Sequence, residues 1–156
     1  MPEELVISDA SPLIALIDIG QVDLLRQMYQ RVLITDVVRG EIHAEVPAWI
    51  EVSTDYEVQQ YQLLCLELDA GEASAIALAL KQTGSRIILD ERKGRIVAKR
   101  LNLKVTGTVG LIVKAKEAGL ITSGKGVLDQ LAEHGFWLSD KLNRQILARM
   151  GESENE

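Results

Sequence analysis

Four carboxylates stand where this chain could gather them: Asp9 after "LVIS", Glu41 in "DVVRGEI", Glu72 in "DAGEASAIALAL" and Asp90 after "RIIL". Asp9 and Asp90 each follow a short apolar, β-branched run, the position of a strand end. Glu41 follows Val37 at i+4 and Val38 at i+3, so a helix places it on or beside an apolar face. Glu72 opens a helix rich in Ala and Leu. A carboxylate turned toward a core is costly unless it is paired or binds a cation, and several together repel. Oxygen ligands with no suitable His or Cys suit Mg2+ or Mn2+ rather than zinc. Two such ions ~4 Å apart form an arrangement that cleaves phosphodiesters, one activating a water and one stabilising the departing oxygen.

Each acid also has a plainer role. Asp69 and Glu72 fit a D-x-x-E capping box, in which Glu72 only reaches back to a backbone amide. Asp9 could serve a turn, Asp90 could cap the helix after it, and Glu41 could carry its carboxylate to solvent on its long stem. His43 and His134 have no partner at a spacing that suggests acid–base work, and Cys65 lies in an apolar stretch that suggests packing.

The elements that must position these residues alternate. "ELVIS", "RVLIT", "SRIILD" and "LKVTG" read as strands, with "WIEVS" a short or edge strand. Helical patterns fall between them: "SPLIALIDIG", "VDLLRQMY", "DVVRGEIHAEV", a long stretch from Asp55 to Leu68, "DAGEASAIALALKQTG", "ERKGRIVAKRLN" and "TVGLIVKAKEAGL". Two further helices, "GKGVLDQLAEHG" and "SDKLNRQILARMG", make the C-terminal end helical. This rhythm indicates an α/β fold, a parallel sheet covered on both faces. Ligands of such sheets sit beyond the carboxyl ends of the strands. Asp9, Asp90 and Thr106-Gly107-Thr108 all stand at such ends, and Ser11 with Pro12 opens the first helix as N-cap and first turn.

The composition bounds the rest. The 156 residues suffice for one domain over 1–150, with the acidic tail 151–156 expected to be disordered. Aromatic residues are 4% of the chain, so the core must be aliphatic. One cysteine excludes an internal disulfide and suits a reducing compartment. No leader pattern and no apolar run near the ~20 residues of a membrane span are present, so a cytoplasmic protein without membrane contact is expected. The net charge of −6 argues against nucleic-acid binding through global charge. One segment departs from that balance: "ERKGRIVAKRLNLK" carries six Lys or Arg against Glu91 alone.

The stretches "SDASPLIAL", "LDAGEASAIALA" and "ILDERKGRIVAKRLNLKVTGTVGLIVKAKEAGLI" together resemble the PIN-domain proteins found as toxin ribonucleases (VapC-like) of type II toxin–antitoxin pairs. The similarity spans roughly Leu5 to Ile121, and its most specific block runs from Leu68 to Ile121. The resemblance implies a three-layer α/β/α fold with about five parallel strands, an acidic pocket holding one or two Mg2+ or Mn2+ ions, and metal-dependent cleavage of RNA. Carried over, the catalytic metal-binding acids are Asp9, Glu41, Glu72 and Asp90. Ser11 and Thr108 would assist through hydroxyls, Glu91 competes with Asp90 as a ligand, and Arg92, Lys93 and Arg95 would hold RNA phosphates. Many PIN domains carry aspartate where this chain has the longer Glu72. A small antitoxin and a homodimer are implied by the resemblance alone. Two other readings stand beside it: a PIN-like scaffold with a weak or empty metal pocket, and a phosphoacceptor receiver-like domain. The latter lacks paired acids after the first strand and a lysine at a late strand end.

Overall fold

The computed structural model of the protein describes residues 3–154. Five strands form one sheet: β1 (Glu3–Ser8), β2 (Tyr29–Thr35), β3 (Ile50–Ser53), β4 (Arg86–Ile88) and β5 (Lys104–Thr106). All pairings are parallel and the order is β3-β2-β1-β4-β5, so "WIEVS" is indeed an edge strand. Period-2 alternation sorts their side chains. Val6, Val32, Ile34 and Ile88 enter one core with α1 (Ala10–Asp18), α2 (Asp23–Met28), α3 (Asp36–Glu41), α7 (Thr108–Glu117), α8 (Gly124–Glu133) and α9 (Asp140–Arg149). Ile7, Leu33, Ile87 and Leu89 enter the other, under α4 (Val58–Leu64), α5 (Ala70–Lys81) and α6 (Arg92–Arg100). This is the expected three-layer arrangement, with aliphatic cores on both faces.

The chain builds outward from β1 to β2 and β3, then returns to place β4 and β5 on the other side. The direction of winding therefore reverses at β1, and the crevice beyond its carboxyl end is the place where such sheets bind ligands. Register carries three strand ends to one edge. Ser8 pairs with Ile88 and Ile88 with Thr106. The Asp9 N–H then donates to the Ile88 carbonyl, and the Leu89 N–H to that of Thr106.

Four local expectations need correction. Ser11, expected as the N-cap of the first helix, lies inside it: the extended backbone ends at Asp9, which is the N-cap residue, and α1 begins at Ala10. The helix after β2 stops at Glu41, because Ile42 turns extended and buries its side chain in the core. The helix expected from Asp55 to Leu68 is only α4, which buries none of its residues and so has little packing to extend it. Cys65, expected to pack, is exposed. At the C-terminal end Gly151 and Glu152 are tied to the body, since the Gly124 and Lys125 amides donate to the Glu152 carboxylate. Of the tail expected to be disordered, Asn155 and Glu156 lie outside the described residues.

Candidate metal centre and its acidic pocket

Asp9 ends β1 as the N-cap residue of α1 and is only 8% exposed. Burial pushes its carboxyl up to about 6; the charges of Asp69, Glu41 and Asp90 push the same way, and the Ala10 amide works against them. Glu72, 4% exposed in the first turn of α5, is displaced further. Burial first, then Asp69 and Asp9, raise it to about 8. Its Oε2 is buried without a hydrogen-bond partner. That oxygen lies over Gly94 of α6, where an added Cβ would stand 2.7 Å from it. A glycine there is what lets the carboxylate of α5 settle against α6.

Asp69 does more than the helix cap expected of it. Its Oδ1 does accept from the Glu72 N–H at 2.9 Å, the cap expected of it. Its charge also acts on Asp9, Glu41 and Glu72 together. A D-x-x-E pair at a helix start carries that second possibility in the sequence, because a cap spends only part of a carboxylate's accepting capacity. The capping residue and the acid pocket are one structure here.

Glu41 is exposed as a residue, not turned coreward, but its carboxylate reaches the start of α5. A Cβ on Gly71 would meet its Oε2 at 2.5 Å. Burial and then the Asp69 charge raise its carboxyl, and the Gly71 amide lowers it. The link between α3 and α5 is fixed by hydroxyls. Thr35 caps α3 by accepting from the Val38 N–H, and it shares a 2.7 Å hydrogen bond with Ser74, whose hydroxyl also donates to the Gly71 carbonyl.

Asp90 is treated differently. The Thr108 N–H donates to its Oδ1 at 2.8 Å and the Thr108 hydroxyl to its Oδ2 at 2.5 Å. Thr108, fully buried at the start of α7, thus locks Asp90 across the ends of β4 and β5. Arg95 strengthens that corner by donating from Nη1 to the Leu89 carbonyl. Both approach Gly107, where a Cβ would meet Arg95 Nη1 at 2.7 Å and Asp90 Oδ1 at 2.9 Å.

A cavity of about 310 Å3 opens between these elements, lined by Asp9, Ser11, Glu67, Leu68, Asp69, Glu72, Glu91 and Lys93. Five acids face one lysine. Glu91 lines it and Asp90 does not, whereas Arg92 is exposed at the start of α6. Among the described residues, no three Asp, Glu, His or Cys side chains stand close enough to hold a metal ion. The carboxylates have settled onto separate partners: Asp90 on Thr108, Glu41 at Gly71, Glu72 against Gly94. The donor set nonetheless suits a hard divalent cation. It is all oxygen, it is crowded with negative charge, and Glu72 Oε2 has no other partner.

No curated protein and no solved structure matches the chain. A family model described as a PIN domain matches residues 5–152. That match takes in β1 from Leu5, the other four strands whole and every acid described above, and the chain belongs to the PIN-domain family, a nuclease fold family.

Proposed function

We propose that the protein is a metal-dependent endoribonuclease that acts as the toxin of a toxin–antitoxin pair. The observation that carries this reading is the pair Asp9 and Glu72: two buried carboxyls at the winding reversal of the sheet, one with an oxygen that nothing in the fold satisfies. A fold that keeps such a pair loses stability to it, and a bound cation is what offsets the loss. Mg2+ or Mn2+ held by Asp9, Glu72 and neighbouring acids would supply a water activated near neutral pH and a counter-charge for the departing oxygen.

The chain's own residues then have distinct tasks. Asp9 and Glu72 bind the ion, Asp69 and Glu91 add charge at the pocket wall, and Glu41, outside the lining, adds its charge through its effect on Asp9. Thr108 acts through Asp90, which it holds in place. Lys93 and Arg92 offer cations to the RNA backbone, and Arg95, with one N–H on the Leu89 carbonyl, completes that rim. Partner binding fits α4, beside the pocket wall at Glu67 and Leu68. It leaves Val58 and Leu63 exposed, and Leu66, just beyond it, is 81% exposed. A small antitoxin or a second copy would cover this surface. Among the described residues no helix is long and apolar enough to cross a membrane, and a cytoplasmic setting fits the single cysteine.

The test is incubation of the purified protein with a panel of single-stranded and hairpin RNAs and single-stranded DNA, in Mn2+, Mg2+ or EDTA, beside Asp9→Asn. Cleavage of RNA that needs metal and disappears in the folded variant is the expected result. A folded wild-type protein that leaves every RNA intact in both metals overturns the reading and favours a scaffold.

A further inference from the structure

The acidic pocket accounts for phosphate and metal but offers no surface for a base. A second cavity of about 280 Å3 adjoins it, with Ser11 lining both. Its walls are Ile14 and Asp18 of α1, Asp90 at the end of β4, and His134 and Phe136 just after α8. The aromatic residues, scattered in the sequence, thus include one pair beside the candidate centre.

The pair is held firmly. Gly135, at φ +91°, turns the chain directly after α8, a conformation that favours glycine. The Gly135 and Phe136 N–H groups donate back to the Ala132 and Leu131 carbonyls. Phe136 packs against the main core while bordering the cavity. The ring of His134 is held too: its Nδ1–H donates to the Gln130 carbonyl at 2.9 Å.

The charge of the lining selects the occupant. Asp18 and Asp90 face the cavity and no lysine or arginine does, so a phosphate is repelled from it. A flat, uncharged ring with N–H donors at its edge suits the carboxylates and the flat faces of Phe136 and His134 together. We infer that this cavity is the subsite for the base next to the phosphate held at the acidic pocket, with Phe136 and His134 stacking on its face and Asp18 accepting from its N–H edge. The inference rests on the nuclease reading for the identity of the neighbouring phosphate. Guanine fits best, because it presents two adjacent N–H donors to one carboxylate. Uracil fits worst, because its single N–H lies between two carbonyl oxygens that a carboxylate repels.

Binding decides this separately from cleavage. The Asp9→Asn protein in Mg2+ is titrated with the labelled heptamers U3GU3 and U7, then again with Asp18→Ala or Phe136→Leu added. Leucine keeps the apolar packing of Phe136 without its stacking face, and circular dichroism checks each fold. The expected result is tighter binding of U3GU3 than U7, a preference that collapses with Asp18→Ala, and about tenfold weaker binding of both heptamers with Phe136→Leu. Equal affinity for the two heptamers, affinities unmoved by either substitution, or no binding of either heptamer overturns the subsite. Failure of the nuclease reading would show instead in the cleavage panel, where the wild-type protein would be inert.

Discussion

Glu72 and Glu152 are both carboxylates with little exposed side chain beside helix starts, and their acidities are shifted in opposite directions. Glu152 stands at the first turn of α8, where burial alone would raise its carboxyl. The Lys125 and Gly124 amides and the Lys116 ammonium outweigh that and hold it below the usual range. Glu72, the more deeply buried of the two, has other carboxylates as neighbours and is pushed up to about 8. The difference teaches that burial sets the cost of a charge and the partner inventory sets its sign. Where donors converge, as at Glu152, the acid fastens the C-terminal end to the body. Where only acids converge, as at Glu72, the fold holds a charge that an outside cation must balance.

The sharpest way to break the comparison is to neutralise Glu72. Glu72→Gln should lower metal-dependent cleavage by about 10²–10³-fold, the scale of losing one electrostatic stabiliser. The same substitution should raise the thermal midpoint of the metal-free protein at pH 8, measured in EDTA. The sign follows from linkage. Glu72 and Asp9 have native pKa values near 8 and 6, above their ordinary 4.5 and 3.8. The native state therefore keeps protons that the unfolded chain has released, and stability present below about pH 4 is lost as pH rises through 6 and 8. Wild-type protein in EDTA should melt progressively lower between pH 6 and pH 8.5, and Glu72→Gln should flatten that slope. A slope unchanged by the substitution would remove Glu72 as its source.

Asp90 offers an intermediate case, a strand-end acid with its donors supplied. Thr108→Val keeps the shape of the buried side chain and deletes the hydroxyl, leaving the N–H bond in place. A loss of about 1.5–3 kcal/mol in denaturant unfolding is expected, the scale of a hydrogen bond to a charged group. A smaller loss would mean that Asp90 turns to another partner.

Glu152→Ala sharpens the other side. Without the carboxylate the first amides of α8 lose their acceptor, and a loss of about 1–2 kcal/mol is expected, with cleavage unchanged. Calorimetry and the cleavage assay together check both halves. The two glutamates should thus respond in opposite directions in the metal-free protein, one variant more stable and one less.

Much of this molecule is determined by sequence over short spans. The runs "LVI", "VLI" and "RIIL" are apolar on both faces because their strands are covered on both faces, and from that follow the parallel sheet and the placing of Asp9 and Asp90 at strand ends. The Asp69 cap of α5 is equally local, an oxygen three residues before the amide that it accepts from. Tertiary structure alone decided how the acids divide. Whether Asp90 turns to Thr108, whether Glu72 rests on Gly94, whether Asp69 joins the pocket and whether Glu41 reaches Gly71 all depend on elements 18 or more residues apart meeting, or on the space between them. The early end of α3 and the exposure of Cys65 belong here too, because periodicity says which face of a segment is apolar and not whether another element arrives to cover it. The anchoring of Glu152 on α8 and the seat of Phe136 beside Ser11 complete the set. Local pattern places a side chain on its own strand or helix, and only the packing of those elements assigns it a partner.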